Sequence, residues 1–243
     1  MNKILLFFSF LVFINSLIYG QVQNSSSSSE EDINSLLQQA KNGDLNAQLE
    51  LGFKYERGIG VGIDYTRARY WYEQSAQQGY PMAINNLGFL YEAGLGVEKN
   101  TALAARYYEQ AAKLGNVFAQ NNLACLYLRG DGVPQDYTKS LEWNLKAADQ
   151  GSDKAEHQIG LCYMNGWGVS QDLTKTVEWW ERSAQHGHVG SQFNLAILYF
   201  TGQGVAADKE KAMSWAKIAA ENGHPEAESF LRAIENDELE IVN

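Results

Sequence analysis

The chain repeats one residue pattern every 36 residues, five times in succession, from Asp44 to Gly223. We number each unit from its first residue, so that position 12 is always Tyr, positions 15 and 17 are always Gly, and position 36 is a closing Gly. A fixed period of this length indicates a solenoid, because each unit buries its apolar face only against its neighbours. The five units begin at Asp44, Tyr80, Asn116, Ser152 and His188.

Each unit has the pattern of two helices joined by a glycine turn. Apolar residues at positions 4, 8, 11 and 12 share one helical face, and a Gly-x-Gly then ends the first helix. Position 21 is Asp or Asn, which cap helix N-termini well, so the second helix begins there. Position 9 is Gly or Ala, which predicts a close approach of the two helices beside the aromatic residue at position 28, such as Trp71.

The flanks of the array differ in composition from the repeats. Residues 31–43 have half of the repeat pattern and are predicted to form an N-terminal cap helix, and residues 224–243 are predicted to form a C-terminal cap helix with an acidic tail. Residues 21–30 contain five consecutive serines and form a polar linker. The predicted units span 44–79, 80–115, 116–151, 152–187 and 188–223.

The first twenty residues are typical of a secretory signal peptide. Lys3 precedes an apolar stretch from Ile4 to Ile14, which is shorter than the roughly 20 apolar residues of a membrane span. We expect cleavage after Gly20, with an uncleaved signal anchor as the alternative. The compartment is then the periplasm, the secretory lumen or the medium, and Asn24 is a glycosylation sequon in hosts that have an endoplasmic reticulum.

The charge balance disfavours two classes of partner. The net charge is −10, and there is no run of Lys or Arg that could neutralise nucleic-acid phosphates or attach the protein to an anionic membrane. We therefore expect neither nucleic-acid binding nor membrane insertion after signal cleavage.

The repeat resembles the Sel1-like repeat, a relative of the tetratricopeptide repeat. The second unit shows the pattern as Ala83, Leu87, Gly88, Tyr91, Gly94, Gly96, Val97, Ala104, Tyr107, Tyr108, Ala111, Ala112 and Gly115. The resemblance covers residues 44–223 and implies an all-α fold, a right-handed α/α superhelical solenoid of about five 36-residue helix-turn-helix repeats with capping helices. Members of this family are typically non-catalytic adaptors in quality control, envelope processes and the assembly of signalling complexes.

In tetratricopeptide relatives the first helix of each unit lines the concave face, and this register implies a candidate binding surface. Positions 10 and 13 offer apolar anchors. The predicted surface becomes more apolar toward the C-terminal end, as a groove that binds a peptide requires. Packing between adjacent first helices is the alternative for position 10. The anchor residues are Phe53, Phe89, Leu161 and Ile197 at position 10, Leu128, Met164 and Phe200 at position 13, and Phe193 at position 6.

Position 7 adds a series of amides to the same predicted surface. An amide can pair with a peptide backbone because it offers both a donor and an acceptor. The alternative is a structural hydrogen bond to a neighbouring part of the repeat. The amides are Asn86, Asn122, Gln158 and Asn194.

Three patterns associated with catalysis or cross-linking remain incomplete. Ser214 and Lys217 match the Ser-x-x-Lys of β-lactam-type hydrolases, but the partner motifs are absent. His186, His188 and His224 are read as solvated turn residues, because a metal site needs three or four convergent ligands. Cys125 and Cys162 occupy positions 10 and 11, which point away from each other, so that we predict no disulfide.

The sequence therefore predicts an exported scaffold that binds a protein or peptide on its concave face. We expect no catalysis, no cofactor, no metal and a monomeric state. The alternatives are a β-lactam-type hydrolase and an envelope assembly or immunity factor dedicated to one partner.

Overall fold

A computed structural model describes residues 32–236. The predicted signal peptide, the serine linker with Asn24, and the end of the acidic tail lie outside these residues. All regular elements within 32–236 are α-helices, and they divide into two compact units with a boundary between Lys99 and Asn100.

From residue 32 onward, the first compact unit contains four helices. They are α1 (32–41), α2 (Leu45–Arg57), α3 (Tyr65–Gln77) and α4 (Pro81–Ala93). Helix α1 lies in the segment predicted as the N-terminal cap. Helices α2 and α3 are the first and second helices of one repeat, and they pack around buried Leu51, Ala68 and Tyr72.

The second compact unit, as far as residue 236, contains eight helices. They are α5 (Thr101–Lys113), α6 (Val117–Arg129), α7 (Tyr137–Ala148), α8 (Asp153–Asn165), α9 (Leu173–Gln185), α10 (Val189–Thr201), α11 (Lys209–Glu221) and α12 (Ala227–Glu235). Each helix packs on the next one along the chain, and the core runs between first and second helices. Within this unit, α12 is the C-terminal cap helix.

Capping residues set the starts of the second helices as the sequence predicts. Asp64, Asn100, Asp136, Asp172 and Asp208 each accept a hydrogen bond from the backbone N–H three residues ahead. For Asp136 this bond holds the pKa of the carboxyl below its usual value. The caps satisfy donors that a helix N-terminus leaves unpaired, so they fix where each chain reversal ends.

The two glycines of each turn, at positions 15 and 17, have different structural roles. The first ends the helix in the left-handed region, as Gly130 does with φ of 76°. The second also has a positive φ and passes very close to the preceding second helix: a Cβ added at Gly132 would lie 2.4 Å from the carbonyl carbon of Thr101. A side chain at this position would therefore separate consecutive repeats.

The described helices form the all-helical repeat solenoid that the sequence predicts. No helix among residues 32–236 is both long enough and apolar enough to cross a bilayer.

Candidate functional site

A cavity of about 190 Å³ lies between α6, α7 and α8 in the second compact unit. It brings together residues at positions 7, 10 and 13 of the first helices, where the sequence analysis placed the binding surface. The lining residues are Asn121, Asn122, Ala124, Cys125, Leu128, Ser140, Asn144, Lys154 and Gln158.

Position 29 of this repeat is not aromatic. Tyr72 and Trp180 stand at the same position in the first and fourth repeats, and both are buried at the contact between first and second helices. The third repeat has Asn144 there, with a much smaller side chain. The contact between α6 and α7 therefore holds an amide side chain in place of a ring.

Position 9 is matched in size to position 29. A Cβ added at Gly52 would lie 2.4 Å from the ring of Tyr72, and one at Gly160 would lie 2.3 Å from Trp180. The third repeat has Ala124 instead, which leaves no room for an aromatic residue from α7. The sequence analysis placed the aromatic residue at position 28 beside the small residue at position 9. That prediction is wrong by one residue, because the ring that lies against position 9 belongs to position 29.

One of the lining residues is a buried amide. Asn144 is 3% exposed and lies on α7. Ser140 on the same helix donates from Oγ to the carbonyl oxygen of Ala124 over 2.8 Å.

Sequence reasoning overlooked Asn144. The signal was present at position 29, which reads Tyr72, Tyr108, Asn144, Trp180 and Ala216, so that one amide interrupts a mostly aromatic series.

Three of the predicted site residues meet in this cavity. Asn122 and Gln158 contribute the amides of position 7 from adjacent first helices, and Leu128 contributes the apolar anchor of position 13. Leu161 and Met164, by contrast, pack against the core around Trp180 and Leu198, and Ile197 packs beside Phe193. Asn194 is half-buried on α10.

Phe193 and Phe200 do not line an open surface. They are 8% and 6% exposed, and their rings pack edge-to-face on Phe230 of α12 at centroid distances of 5.6 and 5.8 Å. The cap helix covers both side chains. The structure therefore contradicts their placement among the accessible anchors.

The predicted increase of apolar surface toward the C-terminal end is wrong for the same reason. Phe53 and Phe89, at position 10 in the first compact unit, are 43% and 41% exposed. Arg57 lies 5.6 Å from the centroid of the Phe53 ring. These two phenylalanines are exposed, whereas Phe193 and Phe200 are buried.

Asn86 at position 7 has a structural contact. Its side chain hydrogen-bonds Tyr72, whose hydroxyl also donates to Glu56 Oε2 over 2.8 Å. Burial, and then the bond to Glu56, raise the pKa of Tyr72 well above its ordinary value. For Asn86 the structure favours the alternative of a local bond within the repeat.

The histidines are not simple solvated turn residues. His186 lies 2.7 Å from Oε2 of Glu156, a fully buried carboxylate that also has Arg182 Nη2 at 3.1 Å from Oε1. His188 caps α10 and stacks on His157 at a ring distance of 4.3 Å. Burial, and then the neighbouring His188, lower the pKa of His157 to about 4.

His224 stacks on Phe193 at 4.1 Å between ring centroids. No group of three His, Cys, Asp or Glu side chains suited to a metal ion occurs in the described part of the chain.

The two cysteines and the Ser-x-x-Lys pair occupy unrelated places. Cys125 lines the cavity, whereas Cys162 is buried on α8, where burial raises the pKa of its thiol to about 11. No disulfide joins them in the structure. Ser214 and Lys217 are both exposed on α11.

A second recess of about 370 Å³ lies in the first compact unit. Its wall includes exposed Tyr70, the ring of Trp71 at 4.9 Å from that of Tyr70, and the side chain of Gln78. Gln78 donates to Gln48 Oε1 over 2.9 Å and so contributes to the packing of the repeat. Sequence reasoning did not single out this recess.

Comparison with known proteins decides the family. The model of the Sel1 repeat matches residues 45–80, 81–116, 117–152, 153–188 and 189–224. The chain belongs to the Sel1 repeat family. Its Sel1 repeats follow the 36-residue register of the sequence, and this repeat is typical of scaffolds for protein interaction.

Two solved Sel1 structures are similar over most of the chain. A Sel1 repeat protein from Oxalobacter formigenes is 30% identical, with a TM-score of 0.79 over 93% of this chain and 91% of that one. A protective antigen of uropathogenic Escherichia coli, c5321, is 37% identical, with a TM-score of 0.76 over 85% of this chain. The match spans 44% of the antigen, so less than half of that protein is represented here.

A shorter match exists to a viral protein. The putative sel1-like repeat-containing protein L21 of Acanthamoeba polyphaga mimivirus is 51% identical over 49 residues, which is 20% of this chain and 9% of that protein. This similarity covers little more than one Sel1 repeat.

Proposed function

We propose that this Sel1 repeat protein is an exported, non-catalytic scaffold that binds a segment of another protein along its first helices. The observation that carries the proposal is the cavity between α6, α7 and α8, where amides and one apolar anchor converge. Amide side chains pair with a peptide backbone, and an apolar anchor such as Leu128 adds buried area.

The charge and the N-terminal sequence support the remaining parts of the proposal. With 19 basic and 29 acidic residues, the protein attracts basic rather than acidic partners. Lys3 and the apolar residues 4–14 support export. The similar E. coli protein is described as a protective antigen, which fits a location accessible to antibodies.

Selection from a random peptide library displayed on phage tests the proposal. We expect enriched peptides whose binding, measured by calorimetry on synthetic copies, falls at least tenfold for the Leu128→Glu variant, because a charge would replace an apolar anchor. Leu145→Glu is the matched control, since Leu145 is 37% exposed on α7 and does not line the cavity.

Both variants must keep the helical circular dichroism spectrum of the parent protein. Failure to enrich any peptide, or equal binding by the parent and the Leu128→Glu variant, would show that this surface is not the binding site.

A further inference from the structure

We propose that the recess of about 370 Å³ in the first compact unit is a binding site for a neutral pyranose sugar. The recess is lined by residues of α1, α2 and α3, among them two aromatic residues, four glutamines and one lysine. This combination suits a ligand made of hydroxyl groups and C–H faces. The inference goes beyond the proposed function, because none of these residues lines the cavity between α6, α7 and α8.

The lining lacks the side chains that hold an apolar residue of a peptide. Among the described residues that line the recess, Ala40 is the one aliphatic residue, and no Leu, Ile, Val or Met contributes. Peptide grooves depend on pockets for such anchors. Sites for small ligands instead combine rings with a few convergent polar groups and have volumes of roughly 300–1,000 Å³. The volume of this recess therefore suits one or two sugar rings.

Tyr70 supplies an accessible aromatic surface. Its side chain is 51% exposed on α3, whereas that of the neighbouring Trp71 is 8% exposed. The two rings meet edge to face, with 4.9 Å between their centroids and 75° between their planes, and this contact favours one orientation of the Tyr70 ring. The face of an aromatic ring has a partial negative charge, so it attracts the weakly positive C–H groups of a pyranose.

The glutamines add donors and acceptors to the lining. Gln78 donates to Gln48 Oε1 over 2.9 Å and to the carbonyl oxygen of Gly43 over 3.1 Å, so the protein itself holds these two amides in place. Gln74 is half-buried and Gln77 is exposed, and both lie on α3, so their carboxamides can meet a ligand from solvent. A carboxamide offers both a donor and an acceptor, as the neighbouring hydroxyl groups of a sugar require.

The third and fourth repeats have other chemistry at the corresponding positions. There a cation at position 31 lies over the ring at position 28, with Lys146 at 4.0 Å from the centroid of Trp143 and Arg182 at 4.4 Å from that of Trp179. In the first repeat, position 31 is Gln74. Position 27 is a tyrosine in the first repeat only and a glutamate in the third and fourth. The first repeat therefore has an aromatic residue and an amide where those two repeats have an acid and a base.

The charge of the recess and of the chain favours a neutral sugar. Lys41 is the one charged residue among the described residues of the lining, and its ammonium group can donate hydrogen bonds to hydroxyl oxygens. The net charge of the chain is −10, which repels polyanionic glycans.

Titration with four neutral disaccharides tests the inference. The probes are cellobiose, chitobiose, lactose and maltose at millimolar concentrations, added to the ¹⁵N-labelled protein. We expect at least one of them to shift the indole N–H resonance of Trp71 and the side-chain amide resonances of Gln74 and Gln77 in the NMR spectrum. These resonances belong to residues that line the recess, so their shift places the sugar there.

Loss of the exposed ring should weaken this binding. We expect Tyr70→Ala to lower the affinity for the bound disaccharide at least tenfold, because the ring on which the sugar packs is removed. Phe89→Ala is the matched control and should bind as the parent protein does, since Phe89 is 41% exposed in the same compact unit but does not line the recess. Gln77→Ala should lower the affinity about fivefold, the effect of one hydrogen bond.

A second variant replaces the recess with residues that the fold already accepts. Tyr70→Glu/Gln74→Arg reproduces positions 27 and 31 of the fourth repeat, where Arg182 lies over Trp179. We expect this variant to keep the helical circular dichroism spectrum of the parent protein and to lose the shifts caused by the disaccharide.

Affinity beads distinguish two sources of the sugar. Retention of the protein on cellulose or chitin indicates a polysaccharide, whereas retention on beads with neutral N-linked glycans indicates a glycoprotein. Either result supports the sugar site when Tyr70→Ala abolishes the retention and Phe89→Ala does not. Retention that Tyr70→Ala leaves unchanged would count against it.

The outcomes separate this inference from the proposed function. Absence of these NMR shifts with all four disaccharides, or equal sugar binding by the parent protein and Tyr70→Ala, would overturn the sugar site. Either result would leave the scaffold function in place, because that function is tested at Leu128. Library-selected peptides whose binding depends on Tyr70 and not on Leu128 would overturn both the sugar site and the proposed peptide-binding surface.

Discussion

Residues at positions 5 and 35 of a repeat form a hydrogen-bonded pair that links its two ends. Gln48 with Gln78 and Gln120 with Gln150 are amide pairs at 2.9 and 2.8 Å. The fourth repeat has Glu156 with His186 at 2.7 Å instead. The fifth repeat keeps the glutamine and pairs it with an asparagine, Gln192 with Asn222 at 3.0 Å, so the polar contact recurs although its members vary.

The glutamate of this pair lacks a bond that the glutamines make. Gln120 donates from Nε2 to the carbonyl oxygen of Ala112 over 3.2 Å, whereas Oε1 of Glu156 has no hydrogen-bond partner among the described residues. Arg182 lies 3.1 Å from this oxygen but is 49% exposed, so it compensates little. The fourth repeat therefore holds a buried and incompletely satisfied carboxylate.

The Glu156→Gln variant should be more stable than the parent protein. A glutamine restores a donor toward the backbone and keeps an oxygen for His186, so we expect the free energy of unfolding to rise by about 1 kcal/mol. Urea denaturation at neutral pH measures this change. The reverse substitution in the neighbouring repeat, Gln120→Glu, should lower the same free energy by about 1–3 kcal/mol. A less stable Glu156→Gln protein would contradict the argument.

Buried His157 makes stability depend on pH. Its pKa is about 4 in the folded protein and about 6.5 in the unfolded chain, so between these values protons bind the unfolded chain more tightly. The neutral ring makes its full contribution to the free energy of unfolding above about pH 6.5, and this contribution is lost as the pH falls toward about 4. We expect this one group to lower the free energy of unfolding by about 2 kcal/mol between about pH 7 and about pH 5.

Denaturation of the His157→Gln variant at both pH values tests this expectation. Between these pH values, the free energy of unfolding should fall by about 2 kcal/mol less in the variant than in the parent protein, whatever the absolute stability of the variant. In His224→Gln it should fall by as much as in the parent protein. An unchanged pH dependence in His157→Gln would show that His157 titrates normally in the folded state.

At the scale of elements, the helices were predictable and the accessibility of their faces was not. Capping residues such as Asp136 and the glycine turns act within a few residues, so the repeat pattern alone located each helix. The burial of Phe193 and Phe200 depends instead on α12, whose docking involves residues distant in sequence. A pattern read along one helix does not reveal what covers it.

Helix α12 should contribute strongly to stability through one side chain. Phe230 contacts both Phe193 and Phe200, so we expect Phe230→Ala to lower the free energy of unfolding by about 2–4 kcal/mol and to increase the fluorescence of a hydrophobic dye. Phe118→Ala is the control, because Phe118 is 55% exposed and its loss should change stability by less than about 0.5 kcal/mol. Equal effects of the two substitutions would argue against docking of α12.

At the scale of the whole molecule, the 36-residue period was sufficient to predict an all-α Sel1 solenoid. It could not locate the cavity, because a period is defined by what recurs, whereas the cavity lies at a repeat with its own residues at positions 9 and 29, Ala124 and Asn144. The residues that line the cavity, such as Asn144, are therefore not visible in the period alone.

Export should change the chain at a defined bond. We expect the protein recovered from outside the cytoplasm to begin at Gln21, with 18 basic and 29 acidic residues and a net charge of −11. Intact mass spectrometry of that fraction measures this start. Leu11→Arg, which interrupts the apolar stretch, should keep the protein inside the cell, and full-length protein in the membrane fraction would instead support a signal anchor.

The matched sizes at positions 9 and 29 have an evolutionary consequence. Each unit has its own pair of residues at these two positions, while its turns and caps follow the common pattern. A change at one such pair can therefore alter the contact between two helices and leave the backbone of the neighbouring units as it is.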